Sequence, residues 1–304
     1  MGKVSIGGQA VIEGVMMKNG SKYAIAVRKP DNEIEVKIES YKPAAEKGEI
    51  YRAPIIRGVF NFLESLIIGM KTLMYSAEFY DEEEENDKPK KTEASDDAMM
   101  IGTVVFSLVI AIGLFMLLPA WLASLMEKAI DNHFLIGLAE GIIRLVIFLL
   151  YVYFISKMED IKRTFMYHGA EHKTINCLEG GDELTVENVM KYSRFHKRCG
   201  TSFLFIVMIV SILVFMCITA DALWLKLLLR VLLVPVIAGI SYEFIKYAGS
   251  HDSAIANILS KPGLMIQRLT TIEPTPDMVE VAIKSVEGVL DWKAYLESEK
   301  GKAI

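Results

Sequence analysis

A chain of 304 residues that is 52% hydrophobic and 23% charged, with a mean hydropathy of +0.34, is too apolar for an average soluble domain, where apolar residues make up roughly 45–50%. The net charge of -5 excludes a general nucleic-acid binder, which carries a basic face. Three cysteines cannot pair completely, so a disulfide scaffold is excluded. Nearly charge-free stretches alternate with dense polar ones, the pattern of a polytopic membrane protein with sizeable aqueous parts. The 16 methionines read as fillers of apolar helix surfaces.

The start, MGKVSIGGQAVIEG, has no apolar signal region, and Ile6 departs from the myristoylation pattern. Residues 1–53 read as a β-rich cytoplasmic region. Ala10 to Met17 is an apolar run interrupted by Glu13, read as a partnered carboxylate. Tyr23 to Arg28 and Glu33 to Ile38 alternate in hydropathy around the turn Lys29-Pro30-Asp31-Asn32, which predicts a hairpin. Gly7-Gly8 reads as a tight turn, with close backbone approach to another group as the alternative. Residues 54–79 read as one amphipathic interfacial helix, in which Arg57, Asn61, Glu64 and Lys71 fall near one stripe. Residues 80–98 are an acidic flexible linker that buries too little apolar surface to offset its ordering entropy.

Four membrane spans follow, in Met99–Met126, Phe134–Ser156, Thr201–Thr219 and Leu223 to Ile240. Each has about the ~20 residues that cross a hydrocarbon core as a helix. The first pair occupies residues 99–156 and the second 201–241. Lys157, Lys162, Arg163, Lys173, Lys191, Arg194, Lys197 and Arg198 crowd the segment between the second and third spans, and the positive-inside rule places it in the cytoplasm. With four spans, both termini are cytoplasmic too. In the tail, 242–304, Thr275-Pro276-Asp277 is a helix start. Val279, Ala282, Ile283, Val286, Val289 and Leu290 then form an apolar stripe that predicts packing against the N-terminal region.

The chemistry concentrates in the central loop, residues 157–200. His168 and His172, four apart, share one face of a helix, with Glu171 beside them. Two neutral imidazoles on one face can bind a divalent metal, and a neighbouring carboxylate can take a proton from water. The string matches the H-x-x-E-H pattern of inverzincins, but the large soluble halves of those proteases are missing, so no peptidase activity is assigned. His196 and Cys199 place an imidazole and a thiol three apart, and Cys177 follows His172 by five residues. Lys197 and Arg198 favour the thiolate of Cys199. His168, His172, His196 and Cys199 make a four-ligand zinc set, and three of them make a catalytic one; inert loop histidines and cysteines are the alternative. Inside the spans, Glu140 and Arg144 (i,i+4) and Arg230 at comparable depth form an intramembrane polar cluster. It reads as a structural ion pair, with a hydrophilic cavity as the alternative. His251-Asp252 offers a weaker candidate ligand or a helix start.

The segments GGQAVIEGVMM (7–17), YHGAEHKTIN (167–176), RCGTSF (198–203) and QRLTT (267–271) closely resemble the YqhQ-like membrane proteins. These form a bacterial family of unknown function for which metal-dependent enzyme activity has been suggested. The resemblance covers nearly the whole chain, in order. It implies a place in the bacterial inner membrane and a metal at His168, Glu171, His172, His196 and Cys199. It supplies no substrate, and the acidic linker matches none of the family's motifs. Together these readings give a mainly α membrane protein: four transmembrane helices, an interfacial amphipathic helix, and a small cytoplasmic α+β part built from the N-terminal hairpin region, the central loop and the C-terminal helices. Its expected function is that of a metal-dependent hydrolase with a divalent metal, zinc by its ligands, and Glu171 as general base. The alternative is a non-catalytic accessory factor for protein translocation, insertion or membrane-complex assembly, with structural zinc and another membrane protein or a nascent membrane segment as partner besides the lipid bilayer.

Overall fold

A computed structural model describes residues 6–46, 48–81, 93–127, 129–218, 223–251 and 253–302. In chain order the elements are β1 (Ile6–Val11), β2 (Gly14–Asn19), β3 (Lys22–Arg28), β4 (Ile34–Ser40), α1 (Ile56–Asp81), α2 (Glu93–Ile112), a π-helical turn (Gly113–Leu117), α3 (Leu118–Ser124), α4 (His133–Ile155), α5 (Glu159–Gly180), α6 (Val186–Lys191), α7 (Gly200–Phe215), α8 (Leu223–Ser250), α9 (Ala254–Thr270), α10 (Pro276–Val289) and α11 (Trp292–Lys302). The chain forms two compact units, one of Met1–Glu82, Ile155–Ile206 and Ala238–Ile304, the other of Glu83–Phe154 and Val207–Ile237.

The first unit is built on an antiparallel sheet in the order β1-β2-β3-β4. Side chains alternate across a strand, so the sheet has two apolar faces. Val15, Met17 and Ala26 pack with Tyr167 and Ala170 of α5 and Val279, Ala282 and Val286 of α10. Val11, Met16, Tyr23, Ile25 and Val27 pack with Ile68, Tyr75 and Phe79 of α1. Each such aliphatic side chain removed from water contributes roughly 1.5–3 kcal/mol, so the two-sided coverage makes this sheet the core of the unit. The run Ala10–Met17 is two strands rather than one, because the chain reverses at Glu13, which takes φ 47°. Pro276 at the first turn of α10, after Thr275, supplies the start that the sequence predicts.

Helix α1 buries Ile68, Thr72 and Ser76 and exposes Leu63, Leu66, Ile67, Met70 and Met74. Three members of its predicted polar stripe, Arg57, Asn61 and Glu64, are partnered within the unit. Arg57 forms a two-pronged pair with Glu243, its Nε donating to Oε1 at 2.7 Å, and Asn61 donates to the Tyr242 hydroxyl at 2.8 Å. Glu64 accepts from the Ala44 amide. Between those contacts Gly58 meets Gly239, where an added Cβ would lie 2.9 Å from the Gly239 Cα.

The second unit is built of apolar helix, and α7 and α8 each belong partly to the first unit. Val105–Ser124, His133–Ile155 and Trp224–Ser250 are long and apolar enough to cross a membrane. The expected third span, Thr201–Thr219, contains the shorter apolar helix Gly200–Phe215. Two further expectations shift. Residues 82–92 of the acidic linker lie outside the described residues, but α2 begins at Glu93, inside the segment read as linker. The central segment 157–200, read as a loop, is helical from Glu159 to Gly180.

Candidate metal centre and a buried charge cluster

Helix α5 starts with Glu159 and Asp160 in its first turn, favourable at the positive end of the helix dipole. It ends at Gly181, whose φ of 87° is a left-handed cap. His168, Glu171 and His172 lie on one face of it. Gly169 lets the segment after α9 approach: a Cβ there would lie 2.1 Å from the Ile272 carbonyl oxygen. That approach brings the Thr270 carbonyl to 2.8 Å from His168 Nδ1. Asn176, one turn on, donates to the carbonyls of Ser193 at 2.6 Å and Phe195 at 3.0 Å. The carbonyl between them, of Arg194, lies 2.6 Å from His172 Nδ1. Gln267 of α9 then clasps His196 through both its backbone amide and its carbonyl, at 2.9 and 2.8 Å, and donates to Ser202 Oγ at 2.8 Å. Amide side chains from two helices thus fix the backbone before Cys199 and the Ser202 side chain after it.

The result is a group of three donors. His168, His172 and Cys199 each offer one ligand atom, all within 4.8 Å of one another. His168 Nε2 lies 3.2 Å from Cys199 Sγ, and Thr201 places its hydroxyl 3.1 Å from the same sulfur. A carbonyl on each Nδ1 makes that nitrogen the donor and leaves Nε2 as the lone-pair nitrogen, the arrangement that orients metal-ligating histidines. Burial works against a charged Cys199, yet the imidazoles of His168 and His172 outweigh it and hold the thiol well below its usual range. Burial likewise disfavours an imidazolium at His168, but the Cys199 sulfur and Glu171 raise it to about 9. A cation can replace the proton of such a pair, because it favours both the thiolate and the free imidazole nitrogen. The two-nitrogen, one-sulfur set suits zinc, so the residues fit the metal that the resemblance implies. Glu171 is buried beside them, its Oε2 3.9 Å from His168 Nε2. It lies against strand β1 where Gly8 stands: a Cβ on Gly8 would be 2.8 Å from Glu171 Cγ. Gly7-Gly8 therefore lies within a strand and not a turn, and the close approach is made at Gly8 alone.

Two of the expected ligands lie in other surroundings. The His196 ring is 5.7 Å from that of His172, but its Nε2 faces Glu179 at 3.5 Å. Cys177 is buried in the apolar core, its sulfur 3.6 Å from the Glu183 carbonyl; burial and then Asp182 push the thiol up to about 12. His251 stacks on Tyr247 at 4.4 Å, and Asp252 lies outside the described residues. Glu13 pairs with Arg163 and accepts from the Tyr167 hydroxyl at 3.2 Å. Spacing and residue type do not mark Gly8, Asn176 and Gln267 as site residues, although all three fall within the segments that carry the family resemblance.

The second unit holds the other constellation. Arg144 Nη2 donates to Glu140 at 2.6 Å, and Arg230 Nη2 donates to the other oxygen at 2.7 Å. All three side chains are buried, and both guanidinium groups lie over the Phe215 ring, at 5.1 and 5.2 Å. Pro119 explains one further bond. It has no N–H for the carbonyl four residues back, Phe115, and the helix there loosens into the π-helical turn. Arg144 Nε takes that carbonyl at 2.9 Å.

Apolar helices of membrane-crossing length, a small two-faced sheet and a His/His/Cys group define a membrane-type chain with a possible metal centre. The chain belongs to the family described as "Protein of unknown function (DUF1385)", which it matches over residues 53–292. It is 36% identical over 301 residues to the "Uncharacterized protein YqhQ" of Bacillus subtilis (strain 168), a match covering 97% of this chain and 95% of that protein. No solved structure matches it.

Proposed function

We propose that this chain is a multi-pass protein of the bacterial inner membrane whose His/His/Cys centre holds a divalent cation, zinc by its donor set, for a hydrolytic reaction. The observation that carries this reading is the convergence of three ligand atoms within 4.8 Å, with each histidine ring oriented by a backbone carbonyl. Three protein ligands leave one position of a tetrahedron to solvent or substrate, as catalytic zinc sites do. Bound there, the cation supplies Lewis acidity. The chain's own residues orient the donors, keep them from bulk water, and hold the buried carboxylate of Glu171 where it can accept a proton from water. Four spans, with α7 as the third, and cytoplasmic termini are supported by the basic segment Lys157–Arg198. In that topology α1 lies at the membrane interface with Leu63, Leu66, Ile67 and Met70 toward lipid.

A second reading is favoured by the burial of His172 and Cys199 and by the two segments that the group joins. There the cation staples α5 to the stretch before α7, and the protein acts without catalysis in membrane-protein insertion or complex assembly. Metal analysis of protein purified without chelator tests both readings: about one equivalent is expected, and less than about a tenth defeats them. Glu171→Gln separates them. Under the enzymatic reading it abolishes function in cells while the metal stays bound, whereas His172→Ala loses both. Survival of function in Glu171→Gln together with its loss in His172→Ala selects the staple. A reporter fused after Asp221 should report the non-cytoplasmic side, and a cytoplasmic signal would overturn the orientation.

A further inference from the structure

The charge cluster of the second unit is not balanced. Glu140 brings one negative charge to two guanidinium groups, and arginine does not give up its proton in proteins. Arg144 fills its bonding through Glu140 and the Phe115 carbonyl. Arg230 does not. Its side chain is 2% exposed, its Nε has no acceptor among the described residues, and its Nη1 lies 2.7 Å from Glu140 Oε1 without the direction of a hydrogen bond. An uncompensated buried charge with unpaired donors is costly, and here it faces open space. Arg230 and Glu140 line a cavity of about 40 Å³, with Phe215 and Lys226 in its wall and Glu127 and His133 at its rim.

We propose that this cavity binds a small monoanion of the carboxylate class, held by Arg230 through its unpaired Nε on the Nε–Nη2 side of the guanidinium, and by Lys226. Three features of the site define the ligand. The surplus of the buried cluster is one positive charge, so a single negative charge balances it. A planar two-oxygen anion matches the parallel N–H bonds along one edge of a guanidinium. A volume of about 40 Å³ holds roughly three waters, or one carboxylate group. Lys226 adds a further positive charge in the wall. Glu127 and His133 are exposed, so the Glu127 carboxylate is screened by solvent and does not neutralise Arg230.

The test uses the full chain in lipid nanodiscs, in a sodium sulfate background whose dianion does not match a site with one surplus positive charge. Sodium acetate is titrated at constant ionic strength, with binding followed by calorimetry and thermal unfolding. Saturable binding that raises the unfolding temperature is expected. Arg230→Gln should weaken acetate binding at least about tenfold, the scale of a lost charge-assisted bond. Lys226→Gln, at a half-buried wall position, should leave the fold intact and weaken binding by a smaller factor, so it decides the matter if Arg230→Gln does not fold. No saturable binding to wild type, or unchanged affinity in both cation variants, would each overturn the proposal. None of these readouts depends on the metal centre.

Discussion

The two units each bury a polar constellation, and the two differ in which side of the hydrogen-bond ledger is left open. At His168, His172 and Cys199 the donors are spent on backbone carbonyls and the acceptors converge. At Glu140, Arg144 and Arg230 the acceptors are spent and guanidinium donors remain. Buried polar groups are nearly always satisfied, so the unspent partner shows the sign of ion that each place favours: a cation at the first, an anion at the second. The supports differ as well. The first site is held by amide side chains and backbone from several segments, so its geometry is specified from outside. The second is held by its own charges, which specify and stabilise at once.

That contrast sets the size of the expected effects. The largest falls on the charge cluster. Glu140→Gln leaves two buried arginines without a counter-charge and should destabilise the chain by about 3–5 kcal/mol, measured by denaturant unfolding in detergent. A loss below about 1 kcal/mol would show the cluster to be solvated rather than buried. At the metal centre, Gln267→Ala removes the clasp on His196 without touching a ligand. It should cost about 1–3 kcal/mol through unpaired backbone groups and weaken metal binding about 10–100-fold, as loss of an outer support does. Unchanged affinity in a chelator competition would mean that the ligands hold their own positions. Gly8→Ala is expected to cost about 1–3 kcal/mol by overpacking, since its Cβ would meet both the Met16 carbonyl oxygen at 2.7 Å and Glu171 Cγ at 2.8 Å. Under the enzymatic reading, function in cells should fall further than metal content, because the displaced group is the carboxylate and not a ligand.

The sequence was most legible where the physics is local. A bilayer demands long apolar runs, so Val105–Ser124, His133–Ile155 and Trp224–Ser250 fall within or over predicted spans. Period-two alternation placed β3 and β4. The spacing of His168 and His172 put two ligands on one helix face, and Glu140 with Arg144 did the same for the charge pair. The rest needed distant residues. Cys177, five residues past His172, is turned about 140° around the helix and enters the core. His196 and Cys199 looked equivalent as ligands, and only the tertiary placement of Gln267 and Glu179 separates them. Gly8 carried an ambiguous signal, because a glycine pair marks a turn and a close approach equally well. The partners of the α1 stripe, Glu243 and Tyr242, are some 180 residues away in sequence and left no local trace.

The smallest predicted effect belongs to that stripe and tests whether it matters at all. Arg57 and Glu243 form a two-pronged pair, and both side chains are more than a quarter exposed, at 28% and 27%. Arg57→Met should therefore cost about 1 kcal/mol or less, read as a small downward shift of the denaturant midpoint in detergent. An unchanged midpoint would show that the pair orients α1 beside Gly239 without stabilising it, and would leave the Gly58–Gly239 approach as what holds the two helices together.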